Sequence, residues 1–315
     1  MDNSNQTNVR DFILLGLAST AAPYLQAFCF LLLLIMYIIT LLGNLLLITV
    51  VRVNTQLQTP MYFFLTHLSI IDIAFSSTIV PKILANTLDQ DKRISFLGCA
   101  TQMYFHLALG ATECLILAAM ALDRYAAICK PLQYNTIMDN RLCLCLTTGS
   151  WTVCFLFTIM QTSFTFQLPY CKSNHVNHYF CEMPPLFRLS CRDTLFNEIT
   201  VYIASGLFAI STFLLIFISY VHIFSNISNI KSNDGRYKAF STCVSHLTVV
   251  FIYYGAIFFM YMRPQSSYSP NRDKIVSLLY TVVTPMLNPI IYSIRNKQVT
   301  STIRMALTLK RNTYS

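Results

Sequence analysis

The chain has 315 residues, 55% of them hydrophobic and only 11% charged, with a formal net charge of +9 and a mean hydropathy of +0.53. A soluble domain carries about 25% charged residues, so this composition excludes an ordinary soluble enzyme or binding module and points to a bilayer. The positive balance sits in short segments between apolar runs, which suits an anionic leaflet and an acidic protein partner and is no argument for nucleic acid.

Stretches free of Asp, Glu, Lys and Arg cover 12–51, 53–71, 73–81, 94–112, 114–122, 142–171, 199–230, 239–262 and 275–294. A helix needs roughly 20 mostly apolar residues to cross the hydrocarbon core. Bridging the single carboxylates Asp72 and Glu113 predicts seven spans, near 25–51, 60–85, 96–128, 142–166, 196–228, 239–262 and 273–294. The fold class is thus an all-α membrane protein: a tail over 1–24, a seven-helix bundle over 25–294, and a surface helix with tail over 295–315.

Along the chain, the polar start MDNSNQTNVRDF lacks a basic segment followed by a short apolar core, so it does not read as a cleavable signal peptide. Asn5-Gln6-Thr7 is a glycosylation acceptor if this end lies outside. That orientation puts 12 of the 22 Lys and Arg residues inside, with only Asp123, Asp139 and Asp234 as acids there. The first span ends in Gly43-Asn44, and an Asn in a spanning helix faces other helices. Pro60 opens the second span at an allowed first-turn position. Asp72 and Glu113 form either an interior polar site, able to hold a proton or a sodium ion, or two satisfied structural carboxylates. No other cofactor is implied.

His106, Gly110 and Ala111 recur at helical spacing on the third span, where small residues admit a neighbouring helix or leave room for a ligand. At the far end of that span stands Asp123-Arg124-Tyr125. Charges at a membrane boundary are paired, interfacial or functional, so the triplet is a candidate switch. Four cysteines fall on the outer side: Cys99, and Cys171, Cys181 and Cys191 in the loop after the fourth span. They allow three pairings. The same loop holds His175, His178 and Glu182, types that bind zinc, but disulfides would consume the thiols and a pinned lid over a cavity is the better reading. Phe208, Tyr254, Ile257 and Tyr261 are core or cavity lining. The inner loop KSNDGRYK carries a turn signal at Asp234-Gly235, and His246 follows near the inner surface. The seventh span carries Pro285 and Asn288-Pro289, with Tyr292 one turn on, so it kinks. Beyond it, Val299, Ile303, Ala306 and Leu307 share a face of a predicted surface helix over 296–309.

Enzyme signals are absent: there is no Gly-rich phosphate loop, no HExxH and no GxSxG. Without a second half resembling the first, an inverted-repeat transporter is not supported, although Asp72 and Glu113 would suit an ion path.

Seven spans, Asp-Arg-Tyr at an inner helix end and Asn-Pro-x-x-Tyr in the last span resemble a rhodopsin-like G-protein-coupled receptor. The segments PMYFFLTHLSIIDI (60–73), MALDRYAAICKPLQY (120–134), KAFSTCVSHL (238–247) and PMLNPIIYSIRNK (285–297) together resemble the olfactory receptor family, in its tetrapod volatile-odorant branch. Leu122, Ala126 and His67 depart from residues common in that family without removing a group the mechanism needs. The resemblance implies disulfides Cys99–Cys181 and Cys171–Cys191. It implies a switch made of Asp123, Arg124, Tyr125, Tyr220, Lys238, His246, Asn288, Pro289 and Tyr292, and a polar network of Asn44, Asp72 and Glu113. It places a ligand among His106, Leu107, Gly110, Ala111, Ser205, Phe208, Tyr254, Ile257, Tyr261 and Thr281. The implied ligand is a small, mostly apolar volatile odorant. The implied partner is a stimulatory G protein of the olfactory type that raises cyclic AMP, and the implied site is the plasma membrane of olfactory cilia. A receptor for a charged amine would want a carboxylate beside the ligand. Here that level of the third span holds His106 and Leu107, and Glu113 lies about two turns deeper.

Overall fold

The structure, a computed structural model, describes residues 10–16, 22–89, 91–261 and 270–294. Asn5 and the helix expected over 296–309 lie outside the described residues, as do the side chains of Lys238 and Tyr261. Among the described residues, seven helical segments are long and apolar enough to cross a bilayer: Pro23–Val53, Pro60–Leu88, Phe96–Cys129, Asn140–Phe166, Leu195–Ser228, Asn233–Met260 and Pro270–Tyr292. They form a seven-helix membrane bundle.

Local chemistry sets the helix ends. Pro23 and Pro60 occupy first-turn positions, where a missing N–H costs nothing. Ser95 caps the third span by accepting from the Gly98 amide, and Asp139 caps the fourth by accepting from the Leu142 amide at 2.8 Å. The third span packs against the second, fourth and fifth, and is the most buried of the seven at 67% of its apolar window, against 22% for the first and fifth. It is therefore the bundle's axis. The first and fifth spans turn Leu31, Leu42, Leu207 and Phe217 outward, as a lipid-facing surface requires.

Two features depart from the sequence reading. The Asp234-Gly235 turn is absent: the sixth helix already starts at Asn233. Ser232 accepts from the Gly235 amide at 3.3 Å, and Asp234 sits in the first turn, where a carboxylate complements the helix dipole. Those capping groups outweigh the turn signal. The seventh span is broken by a π-helical turn, Leu279–Val283, between helices Pro270–Leu278 and Thr284–Ile294. Thr284 Oγ1 donates to the Leu279 carbonyl at 2.9 Å, five residues back, within this wider turn.

The bundle is capped at one end by a three-stranded sheet that the sequence reading did not foresee. Strand β1 (Asp11–Leu14) pairs antiparallel with β2 (Arg93–Ser95) and parallel with β3 (His175–Val176). Phe12 and Leu14 alternate inward and are fully buried, with Phe12 edge-on to Tyr170 at 5.3 Å. This period-2 burial turns four residues before the first span into part of the cap.

Candidate ligand cavity and helix-end latch

Beneath the cap lies a cavity of about 90 Å³. From the third span, His106, Leu107, Gly110, Ala111 and Cys114 face it at three- to four-residue spacing. The fourth contributes Phe157 and Gln161, and the fifth Ser205, Gly206, Phe208 and Ala209. Phe75, Tyr253, Ile257, Phe258, Tyr280 and the loop residue Met183 complete the wall. None of these side chains is charged, so the cavity suits a neutral ligand. At Gly110 an added Cβ would stand 3.3 Å from the Tyr253 hydroxyl and 3.5 Å from Phe75, so the absent side chain lets the sixth span's tyrosine reach the third.

Seven of the ten residues expected around a ligand line this cavity: His106, Leu107, Gly110, Ala111, Ser205, Phe208 and Ile257. Tyr254 and Thr281 do not. Tyr254 donates to Thr212 Oγ1 at 2.9 Å; its neighbour Tyr253, about 100° round the helix, lines the wall and donates to the Gly110 carbonyl at 2.8 Å. Thr281 turns under the loop, with its hydroxyl 2.7 Å from the Ser277 carbonyl and 3.4 Å from the Tyr179 hydroxyl. Tyr280, in the π turn, faces the cavity instead. The sequence reading also missed Gln161. Its signal was a long amide in a charge-free span, which must face a partner.

The roof is covalent. Cys99 bonds Cys181 and Cys171 bonds Cys191, with Cα separations of 5.5 and 5.7 Å. Gln102 fastens the loop beside the first bridge: its Oε1 accepts from the Cys181 amide at 2.9 Å while Nε2 donates to the Thr78 carbonyl at 3.1 Å. Phe180 packs on His106, ring centres 4.7 Å apart, and Tyr280 donates to Glu182 at 3.2 Å. His178 lies fully buried, its Nε2 3.3 Å from Ser277 Oγ and 3.5 Å from Glu182. The nearby carboxylate favours a charged imidazole, but complete burial, reinforced by Lys274, prevails and pushes His178 down to about 3. A zinc site does not form: Cys181 is in a disulfide, His175 is exposed, and no group of three His, Cys, Asp or Glu side chains is placed to hold a metal among the described residues.

At the opposite end, Asp123, fully buried, pairs with the partly exposed Arg124. Arg124 donates to Asp123 Oδ2 at 2.7 and 3.1 Å, and the other carboxylate oxygen accepts from the Tyr134 hydroxyl at 2.7 Å. Burial and then the Asp123 carboxylate push the Tyr134 phenol above its usual range, so it remains a donor. Tyr134 stands in the loop that follows, eleven residues on. A second clasp joins three spans: Tyr220 Oη lies 2.9 Å from His246 Nδ1, and His246 Nε2 lies 3.1 Å from the Leu117 carbonyl. The carbonyl can only accept, so Nε2 carries the proton. Tyr125 packs edge-on to His222 at 5.9 Å.

Between cavity and latch runs the polar network. Asn288 Nδ2 donates to both Asp72 oxygens at 3.0 Å. Asn44 Nδ2 donates to the Pro285 carbonyl at 3.1 Å, which is the carbonyl that Pro289, having no N–H, leaves free. Gly43 makes this approach close: a Cβ there would come within 3.0 Å of the Pro289 ring. Glu113 and the Tyr292 hydroxyl are also buried here, and Asn44 Oδ1, Glu113 Oε1 and Asn288 Oδ1 have no hydrogen-bond partner among the described residues.

Residues 33–310 match the sequence family described as "Olfactory receptor". The chain is 48% identical to Olfactory receptor 5AR1 of Mus musculus over 299 residues, covering 95% of this chain and 96% of that protein. It is 47% identical to Olfactory receptor 5G3 of Homo sapiens over 311 residues, covering 99% and 98%. It is 48% identical to Olfactory receptor 5AP2 of Mus musculus over 307 residues, covering 98% and 96%.

Proposed function

The chain belongs to the olfactory receptor family, whose members are receptors and not enzymes, and from that premise we propose that it binds a small volatile odorant and activates a stimulatory G protein of the olfactory type, raising cyclic AMP. The observation that carries this reading is the uncharged, roofed cavity built on the same helix, the third, that ends in the Asp123–Arg124 latch. Such a helix joins a ligand site at one end to a partner site at the other. The disulfide-bonded cap faces outside and the Arg124 end faces the cytoplasm, in the ciliary membrane of olfactory neurons.

Mechanistically, the ligand shifts a two-state equilibrium by its differential affinity for the two states. Tyr253 is the first relay: it lines the cavity while bonded to the third span's backbone. Movement of the sixth span would carry His246 away from Leu117 and free Tyr220. Arg124 would then leave Asp123 for Tyr220 and the G protein, with Lys238 adding positive charge. The missing N–H of Pro289, whose freed carbonyl Asn44 takes up, would let the end of the seventh span carrying Tyr292 swing. Asp72 and the buried oxygens of Asn44, Glu113 and Asn288, unpartnered among the described residues, have the chemistry to hold a sodium ion, which would supply a positive charge to the resting network.

The test is a cyclic-AMP reporter assay with a panel of volatiles. Arg124→Ala, matched for surface expression, is expected to lose more than nine-tenths of the odorant response. An unchanged response would remove Arg124 from the switch.

A further inference from the structure

The fourth span faces the cavity with one strongly polar group, the Gln161 amide, which is 3% exposed. Its Nε2 lies 2.7 Å from Ser205 Oγ on the fifth span. Neither side chain makes another hydrogen bond among the described residues. Every other cavity-lining hydroxyl is spoken for: Tyr253 donates to Gly110, and Tyr280 to Glu182.

The single bond between Gln161 and Ser205 leaves a definite remainder. With the amide N–H donating to Ser205, the serine still holds its own O–H and the amide still holds its carbonyl oxygen. With the amide turned over, the serine O–H donates to Oε1, leaving serine lone pairs and two amide N–H groups. In both arrangements the pair offers the cavity at least one donor and one acceptor side by side. A buried polar group left unmatched costs more than a matched one returns. The best complement is a group that donates and accepts through one atom, which is a hydroxyl. A ketone, aldehyde, ester or ether fills only half of the pair, and a hydrocarbon or thioether fills neither side well. The absence of charged lining groups disfavours an ionised acid or amine. Gly206, next to Ser205, leaves open space beside the pair, since a Cβ there would meet nothing within 4 Å.

We infer that the ligand is a neutral, compact alcohol or phenol whose hydroxyl is read by the Gln161–Ser205 pair. This inference rests on the ligand-binding reading above but not on the coupling to a G protein.

The experiment uses the full-length receptor with hexanol, benzyl alcohol and phenol, each against its methyl ether, with hexanal and toluene added. Binding is measured as thermal stabilisation of the detergent-solubilised protein, alongside the cyclic-AMP response in cells. In the wild type, at least one hydroxylated probe is expected to bind roughly 5- to 100-fold more tightly than its ether. Ser205→Ala and Gln161→Leu should collapse that ratio towards one while leaving ether binding within a few-fold. Ethers binding as well as alcohols in the wild type, no binding by any hydroxylated probe, or a ratio that survives both substitutions would each overturn the inference. The wild-type comparison needs no variant and stands even if a substituted receptor fails to fold. Alcohol-selective stabilisation without cyclic AMP would leave this inference intact and sink the proposed coupling.

Discussion

The two ends of the third span handle polar groups in opposite ways. At the Arg124 end the main groups are mutually bonded: Asp123 serves Arg124 and Tyr134, and His246 lies between Tyr220 and the Leu117 carbonyl. At the cavity end, Gln161 and Ser205 keep unused hydrogen-bonding capacity amid aromatic and aliphatic walls. A closed set of bonds holds one state until a competitor breaks it, whereas an open set waits for a ligand to complete it. That is the difference expected between a latch and a sensor.

The largest effect is expected from unroofing the sensor. Cys99→Ser removes a bridge spanning 82 residues; loss of a structural disulfide costs about 2–5 kcal/mol. Surface expression, read by antibody labelling of unpermeabilised cells, should fall several-fold, and the odorant response with it. A receptor that reaches the surface and responds normally would show that the cap does not depend on this bond. Next comes the latch. Tyr134→Phe deletes a bond to a buried charged oxygen, worth about 1.5–3 kcal/mol. If that bond belongs to the resting state alone, basal cyclic AMP rises roughly tenfold or more at matched expression. An unchanged basal level would mean that Tyr134 holds Asp123 equally in both states.

The latch was more legible in the sequence than the sensor, and the reason is geometric. Asp123 and Arg124 are adjacent, so their pairing needs no knowledge of how helices face. Even so Tyr134 escaped notice, because its bond depends on a loop folding back. The seven spans were legible from charge-free runs, and the freed carbonyl in the last span from the missing N–H of Pro289, but that Asn44 bonds this carbonyl depends on how the first and seventh spans face each other. Facing was the weak point. Tyr253 and Tyr254 are equally aromatic neighbours, and only helix rotation decides which lines the cavity. The π turn at Leu279–Val283 changes the helical phase, which brings Tyr280 rather than Thr281 to the wall. The capping strand Asp11–Leu14 was illegible because four residues make a weak period and its partners lie far along the chain.

A smaller effect concerns pH at the roof. Burial holds folded His178 near 3, below its ordinary value of 6.5. The unfolded chain therefore takes up the proton first, and stability falls as pH drops through 6.5 towards 3. At pH 5 the loss is at most about 2 kcal/mol. The melting temperature of the solubilised receptor should drop more between pH 7 and pH 5 in the wild type than in His178→Phe. Equal drops would show that His178 is reached by protons without opening the cap.

The smallest effect should come from the two cavity glycines, and it is the finest probe of the sensor. Gly206→Ala adds a methyl that meets nothing within 4 Å, so the helix loses no packing and gains up to about 1 kcal/mol from reduced backbone freedom. Gly110→Ala adds the same methyl 3.3 Å from the Tyr253 hydroxyl, against the bond that ties the sixth span to the third. The first change should leave expression and basal activity untouched while weakening the bulkiest ligands a few-fold relative to smaller ones, since one methylene in an apolar site is worth about 1–3 kcal/mol when fully accommodated. The second should alter basal activity as well, because it presses on the relay. Dose–response curves for a homologous ligand series in both variants separate these outcomes. If Gly206→Ala shifts basal activity as Gly110→Ala does, the cavity wall and the relay are one unit, and sensing cannot be tuned apart from switching.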